Sequence, residues 1–302
     1  MRILLATTLS LTIIAAAALL GRAGRSDSPD EAARAAAVKL FKSLDDDQKN
    51  LAVKEFDDKD RKTEQFPAVK RNGLPFSKLT ADQKAMVADI VKGTCSAYGA
   101  ERCLEVAKET PEDLRYVNFF GDPTGDKPFA WRMASHHLTL IHAEFGKAKS
   151  DEFGPILLGG NPAKSLWEAE EKTAIAFFAA LSPEEAKQVQ SVKGVGNGSG
   201  SGIGKAGARI GDLVEKPAAL ARALLAKRLD VLSTDRKKKM DEFIKNHGGV
   251  DNLRIAVWGD ITKGHLEGGN YHWRIGNDDV VCDWQTVGKN HIHMTLRGRG
   301  KG

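Results

Sequence analysis

Residues 112–124 read EDLRYVNFFGDPT and residues 251–262 read DNLRIAVWGDIT, near copies of each other with a one-residue slip. A chain that carries such a duplication is restricted to folds that use one structural unit twice. The flanking residues extend the match. A helix-like stretch precedes each copy, LTADQKAMVADIVKG in the first and LSTDRKKKMDEFIKNHG in the second. A Trp-Arg strand follows each, at Trp131-Arg132 and at Trp273-Arg274, and His136-His137 fall where Asp278-Asp279 fall. The unit is a helix plus a β-hairpin, with alternating strands that pair into one antiparallel sheet covered by helices. The expected fold class is therefore α+β. It is a single domain over residues 27–302, with pseudo-repeats at about 76–150 and 217–296.

Helix signals appear elsewhere. SPDEAARAAAVKLFKSL has Ser28 as a cap, Pro29 in the first turn and early acids, the pattern of a helix start. Residues 164–192 give two more helices, the second opened by Pro183. GVGNGSGSGIGKAGARIG, residues 194–211, reads as a flexible linker between the copies. It lacks the Ser or Thr after lysine, and the preceding apolar strand, that a phosphate-binding loop requires.

The N-terminus bears on location. Met1-Arg2 leads into ILLATTLSLTIIAAAALL, 18 residues without a charge, followed by small residues and a polar stretch. Residues 1–24 thus form a secretory signal or an uncleaved N-terminal anchor, and the protein is expected to be periplasmic or extracellular. No other segment has the length and polarity to span a bilayer. In an oxidising compartment Cys95 and Cys103 are near enough in sequence to pair across a short loop, with Cys282 left over in a strand. The net charge of +5 is spread along the chain, without the concentrated basic face of a nucleic-acid binder. Expected partners are a small molecule or a metal ion.

Only 8 histidines occur, and two of them, His291 and His293, flank a single isoleucine. On a strand, positions i and i+2 share a face about 6.5–7 Å apart, close enough for two imidazoles to hold one metal ion. His136 and His137 lie in a second strand-like run, where adjacent residues face opposite ways. His137 is the favoured ligand and His136 an orienting or packing residue, although a buried His136 would serve equally as a ligand, so both are counted with His291 and His293 as candidate metal residues. The implied cofactor is a divalent transition metal: zinc, copper or iron. Candidate carboxylates are Asp283, Glu144, Asp278 and Asp279, with Asp283 expected beside the histidines as a ligand or as an acceptor for an imidazole N–H. Trp131 and Trp273 are expected in the core or in a pocket wall, with Arg132 and Arg274 available to an anionic substrate.

FAWRMASHHLTL, GPILLGGNPAK, WEAEEKTAIAFFAALS, YHWRIGNDDVVCDWQ and NHIHMTLRG together resemble, in this order, the motifs of an uncharacterised bacterial family, domain of unknown function 3500 (DUF3500). The resemblance runs from about residue 72 to 298. It implies export and brings no activity with it. Ser135 stands where glycine is usual in the family, and RGRGKG replaces its aspartate-rich extension. The expected function is that of an exported protein with a histidine-rich metal site, either a metal-dependent hydrolase or oxidoreductase or a non-catalytic metal- or ligand-binding envelope protein.

Overall fold

A computed structural model of the chain describes residues 28–64, 72–147, 150–191 and 202–300. Residues 1–24, expected to be a signal or anchor, and the first part of the glycine-rich stretch lie outside the described residues. Among those described, eight α-helices accompany an 11-stranded, mostly antiparallel sheet. The expected α+β class holds.

The duplication is longer than the sequence motifs suggest. The first copy comprises α1 (Pro29–Ser43), α2 (Asp46–Ala52) and two short strands, β1 (Val53–Lys54) and β2 (Leu74–Pro75). It continues with α3 (Ala81–Thr94) and α4 (Ala97–Lys108), then a meander of β3 (Tyr116–Phe120), β4 (Phe129–Ala134), β5 (Leu138–Glu144) and β6 (Phe153–Gly160). The second copy repeats this order: α5 (Glu168–Ala179), α6 (Pro183–Val189), β7 (Ala208–Arg209), α7 (Glu215–Leu229) and α8 (Thr234–Asn246). Its meander is β8 (Arg254–Asp260), β9 (Asn270–Gly276), β10 (Val280–Thr286) and β11 (Ile292–Gly298). The parallel pairing of β1 with β3 has its counterpart in a parallel bridge between Gln190 and Val257. Even the capping is repeated, with capping boxes at Asp45/Gln48 before α2 and at Ser182/Glu185 before α6.

The sheet order is β1-β3-β4-β5-β6-β11-β10-β9-β8-β7, with β2 also on β3. The two meanders thus meet at their last strands, β6 and β11, and the mid-chain and C-terminal segments become neighbours. The helix layers meet too. Cys95 bridges Leu232, the Ser96 N–H donates to the Val231 carbonyl, and the Ser233 N–H donates to that of Thr94. This is a reciprocal contact about a pseudo-twofold axis. Strand residues alternate between faces. One face packs Leu138, Leu140, Ile156, Leu158, Met294 and Leu296 against helix residues such as Leu40, Val91 and Leu224. On the other face Asn118, Arg132, Thr139, Arg274, Asp283 and Thr295 are all buried.

Two readings are corrected. The helix preceding EDLR is α4, which the sequence reading left out, so α3 corresponds to α7 and not to α8. The copies join at residues 161–167, and the 194–211 stretch sits inside the second copy rather than between copies. Its described half is built into the fold: Ala208 and Arg209 pair with Ile255 and Arg254, and Ile210 is fully buried. Glycine content there reflects close packing as well as freedom. Gly207 has φ +71°, and a Cβ on it would lie 2.0 Å from the Ile255 carbonyl oxygen.

Candidate metal centre

Pairing of β6 with β11 sets Gly159 opposite His293, and pairing of β5 with β6 sets Leu138 opposite Leu158. The start of β5 and the start of β11 therefore flank the end of β6, and His136, His137, His291 and His293 converge there. One ring nitrogen from each can be chosen so that all four lie within 4.8 Å of one another. His137 Nε2 is 3.0 Å from His291 Nε2, which is 3.1 Å from His293 Nε2. The His291 ring stands perpendicular to both neighbours, at 90° to His137 and 88° to His293.

His136 joins the cluster for a reason the strand reading missed. Both mid-chain histidines sit in the tight turn between β4 and β5, closed by the Ser135 N–H donating to the Leu138 carbonyl at 2.7 Å. Turn residues escape the strict alternation of a strand, so both imidazoles reach one side, stacked at 3.9 Å. The His136 N–H donates to Thr110 Oγ1 at 3.3 Å, tying the turn to the segment after α4.

The scaffold behind the cluster is specific. Gly159 is glycine because a Cβ there would lie 2.3 Å from the Ile292 carbonyl oxygen and 3.3–3.4 Å from the His137 and His293 rings. Asn290, at φ +59°, takes the Ala163 N–H on its carbonyl and the Lys164 N–H on its Oδ1. Below this loop His265 Nδ1 lies 2.8 Å from Glu171 Oε2, and its Nε2 lies 2.8 Å from the Lys164 carbonyl oxygen. A carboxylate and a carbonyl only accept, so both His265 nitrogens donate and the ring is cationic. Burial alone would push the His265 pKa down, but the Glu171 carboxylate outweighs it and holds the pKa above the usual value.

Burial and crowding disfavour the protonated form of three of the four imidazoles. Burial, followed by the neighbouring rings, lowers the pKa of His136 and His291. The same causes push His293 down to about 3. Behind His137, Glu109 Oε2 lies 3.4 Å from Nδ1. The carboxylate sets a negative charge on the side of the ring away from the cluster. Glu109 went unnoticed in the sequence because it follows the unread α4 and pairs with a residue 28 positions away.

The family model described as "Protein of unknown function (DUF3500)" matches residues 26–301, nearly the whole chain. The chain belongs to this family. A search of the curated proteins and one of the solved structures found no match. What the family motifs do is visible in the geometry: SHH supplies the turn, GPILLGG the glycine-bearing strand beside it, and NHIHM the remaining two rings.

Of the other candidate residues, Asp283 is near enough to His293 to oppose the lowering of its pKa, but its oxygens are engaged elsewhere, and the rest lie away from the rings. Asp283 is held by Arg274 Nη2 at 2.6 Å and accepts the Thr295 N–H at 3.0 Å. Arg132, fully buried, donates to Asn118 Oδ1 and to the Asp60 carbonyl. Both arginines serve the inner sheet face. Trp131 and Trp273 belong to the helix-side core. Glu144 pairs with Arg34 and His142 at the far end of β5. Asp278 and Asp279 sit in the β9–β10 turn beside Arg299, whose N–H donates to the Asp279 carbonyl. Cys95 and Cys103 are free thiols with sulfurs 3.9 Å apart, Cys103 on α4 rather than across a loop.

Proposed function

We propose that this is an exported metal-binding protein that holds one divalent transition metal ion, zinc, copper or iron, on His137, His291 and His293, with His136 as a fourth donor. The reading is carried by the spacing of the three Nε2 atoms. Two ligands about 2.0–2.1 Å from one ion and 90–109° apart are about 2.8–3.4 Å from each other, and the observed edges are 3.0 and 3.1 Å. Hydrogen bonding accounts for the cluster less well. His291 Nε2 carries either one N–H or one lone pair, yet it is the nitrogen that faces both neighbours. An all-imidazole donor set suits zinc, copper and iron. His136 and His291 are half-buried, which leaves the ion a way in.

A metal held by three or four imidazoles with one side toward solvent supplies Lewis acidity to a bound water or small ligand, the chemistry of a hydrolase or an oxidoreductase. The second reading, a non-catalytic metal- or ligand-holding role, is favoured by one observation. Glu109, the carboxylate beside the cluster, faces the far side of the His137 ring and accepts the Asn161 N–H at 3.1 Å on the same Oε2, a placement that suits supporting a ligand more than activating water. Elemental analysis of the purified mature protein tests the common part. Stoichiometric metal that disappears in His291→Ala plus His293→Ala is expected; an equal metal content in both overturns the proposal. Turnover of esters, peptides or phenols by the loaded protein separates the two readings. Export is tested by N-terminal sequencing of the mature chain from a fractionated cell.

A further inference from the structure

A cavity of about 330 Å³ opens between α5, α6 and the end of β8. It lies on the outer side of the second meander, three strands from β11 in the sheet order, and shares no residue with the histidine cluster. The duplication supplies a reference for it. The capping boxes before α2 and α6 align Asp45 with Ser182. The parallel pairing of Val53 with Phe119 aligns with that of Gln190 with Val257. Much of the frame is then common to both copies. Phe178 and Leu181 match Phe41 and Leu44. Gly259 matches Gly121, both at positive φ, and Asp260 accepts the Thr262 N–H as Asp122 accepts that of Thr124.

Within that common frame, bulk is lost around one point. Phe119, Lys49 and Lys42 of the first copy are Val257, Ala186 and Ala179 in the second, and all three small residues line the cavity. In the first copy the space is taken. The Phe119 ring stands edge-on to Phe41, with centroids 5.2 Å apart and planes at 80°. Lys49 Nζ lies over the same Phe41 ring, 5.8 Å from its centroid. Hydrogen bonds from Thr124 hold Asp122 below the usual carboxylate range, with further help from Lys49 and Lys42, so both lysines gather on this side. In the second copy Phe178 keeps its ring and has lost that partner. Ile175, Leu181, Val257 and Ile261 complete an apolar wall, with Val257 and Ile261 buried and Phe178 half-buried. Water gains little in such a space, and an apolar molecule gains contact. Aromatic rings favour the edge-on arrangement seen in the first copy, which shows the kind of group the frame accepts. Asp260 stands at the rim, exposed, without counterparts of the two lysines, and it disfavours an anion.

We propose that this cavity binds a small uncharged aromatic molecule, its ring edge-on to Phe178 in the place that Phe119 fills in the other copy. The site is independent of the histidine cluster. The test is calorimetric titration of the mature protein with naphthol, beside decahydronaphthol, which keeps the carbon skeleton with saturated rings, and naphthoate, which carries a carboxylate in place of the hydroxyl. Saturable naphthol binding with a Kd below about 1 mM is expected. The saturated analogue should bind about threefold to tenfold more weakly, the worth of an edge-on ring pair, and naphthoate at least about tenfold more weakly. Val257→Phe, which restores the ring of the first copy, should abolish naphthol binding. Ala186→Lys, which restores its lysine, should weaken it at least about tenfold. If Val257→Phe does not fold, Ala186→Lys decides alone. No naphthol binding, equal binding of either analogue, or parental affinity in a folded variant overturns the proposal.

Discussion

Replacing Gly159 by alanine tests the proposed metal centre without touching any of its four histidines. The added Cβ would lie 2.3 Å from the Ile292 carbonyl oxygen, against an ordinary contact of about 3.4 Å. β6 and β11 must separate locally by about 1 Å to relieve it. Overpacking of this kind costs about 1–3 kcal/mol, a drop of roughly 2–5 °C in melting temperature for a domain of this size. The larger effect falls on the cluster. Metal–ligand distances tolerate only about 0.2 Å, and His293 lies directly opposite the substituted position. A shift of about 1 Å withdraws one imidazole and weakens metal binding by roughly 100-fold. The assay is metal titration against a chelator of known affinity, with a melting curve of the metal-free protein alongside. Gly125→Ala is the control, since a Cβ there meets nothing within 4 Å. A Gly159→Ala protein that folds and binds metal within threefold of the parent would refute the link between the β6–β11 register and the site.

Glu109→Gln should lower metal affinity about tenfold, because the acceptor behind His137 loses its charge, while the melting temperature of the metal-free chain stays within about 2 °C; unchanged affinity measured against the same chelator would remove Glu109 from the site. The His265–Glu171 pair should shape stability against pH. Burial would raise the Glu171 pKa, but donors from His265 and Tyr271 hold it below the usual value, so its contribution is present above about pH 4.5 and is lost as pH falls through the lowered pKa. His265, with its raised pKa, contributes fully below about pH 6.5 and loses that contribution as pH rises through the raised value. Urea midpoints should therefore show the pair's full effect between about pH 4.5 and 6.5, and Glu171→Gln should remove it; a variant whose loss is equal at pH 5.5 and pH 9 would contradict this. All three cysteines are buried and free, so a thiol reagent should find none in the native protein and three after denaturation; one after denaturation would mean that Cys95 and Cys103 are bonded.

Much of the architecture was legible because duplication leaves a signal that a single unit does not. The EDLR and DNLR copies located β3 and β8, and the Trp-Arg pairs located β4 and β9. What was missed has physical causes. α4 begins at a cysteine-flanked junction and contains Gly99, where a Cβ would collide with the Val231 carbonyl oxygen at 2.0 Å. That glycine serves a helix crossing and weakens the helical pattern. The glycines of 207–211 likewise serve close approach, which composition alone reads as a tether. At the site, the HxH spacing put His291 and His293 on one face, while strand alternation favoured one of His136 and His137 over the other, because it does not apply to the turn in which both lie.

The sequence by itself determined the local units: capped helices, alternating strands, a duplicated order of elements and a histidine pair two residues apart. It also carries the motifs by which the family is known. Only the tertiary structure decided that the two copies join through β6 and β11, which brings His137 to His291 across 154 residues. It also decided that Asp283 serves Arg274 while Glu109 serves His137. Periodicity reports which face a side chain takes relative to its own neighbours along the chain. The partner across a sheet is chosen by strand order and register, which depend on how all the apolar faces are buried together.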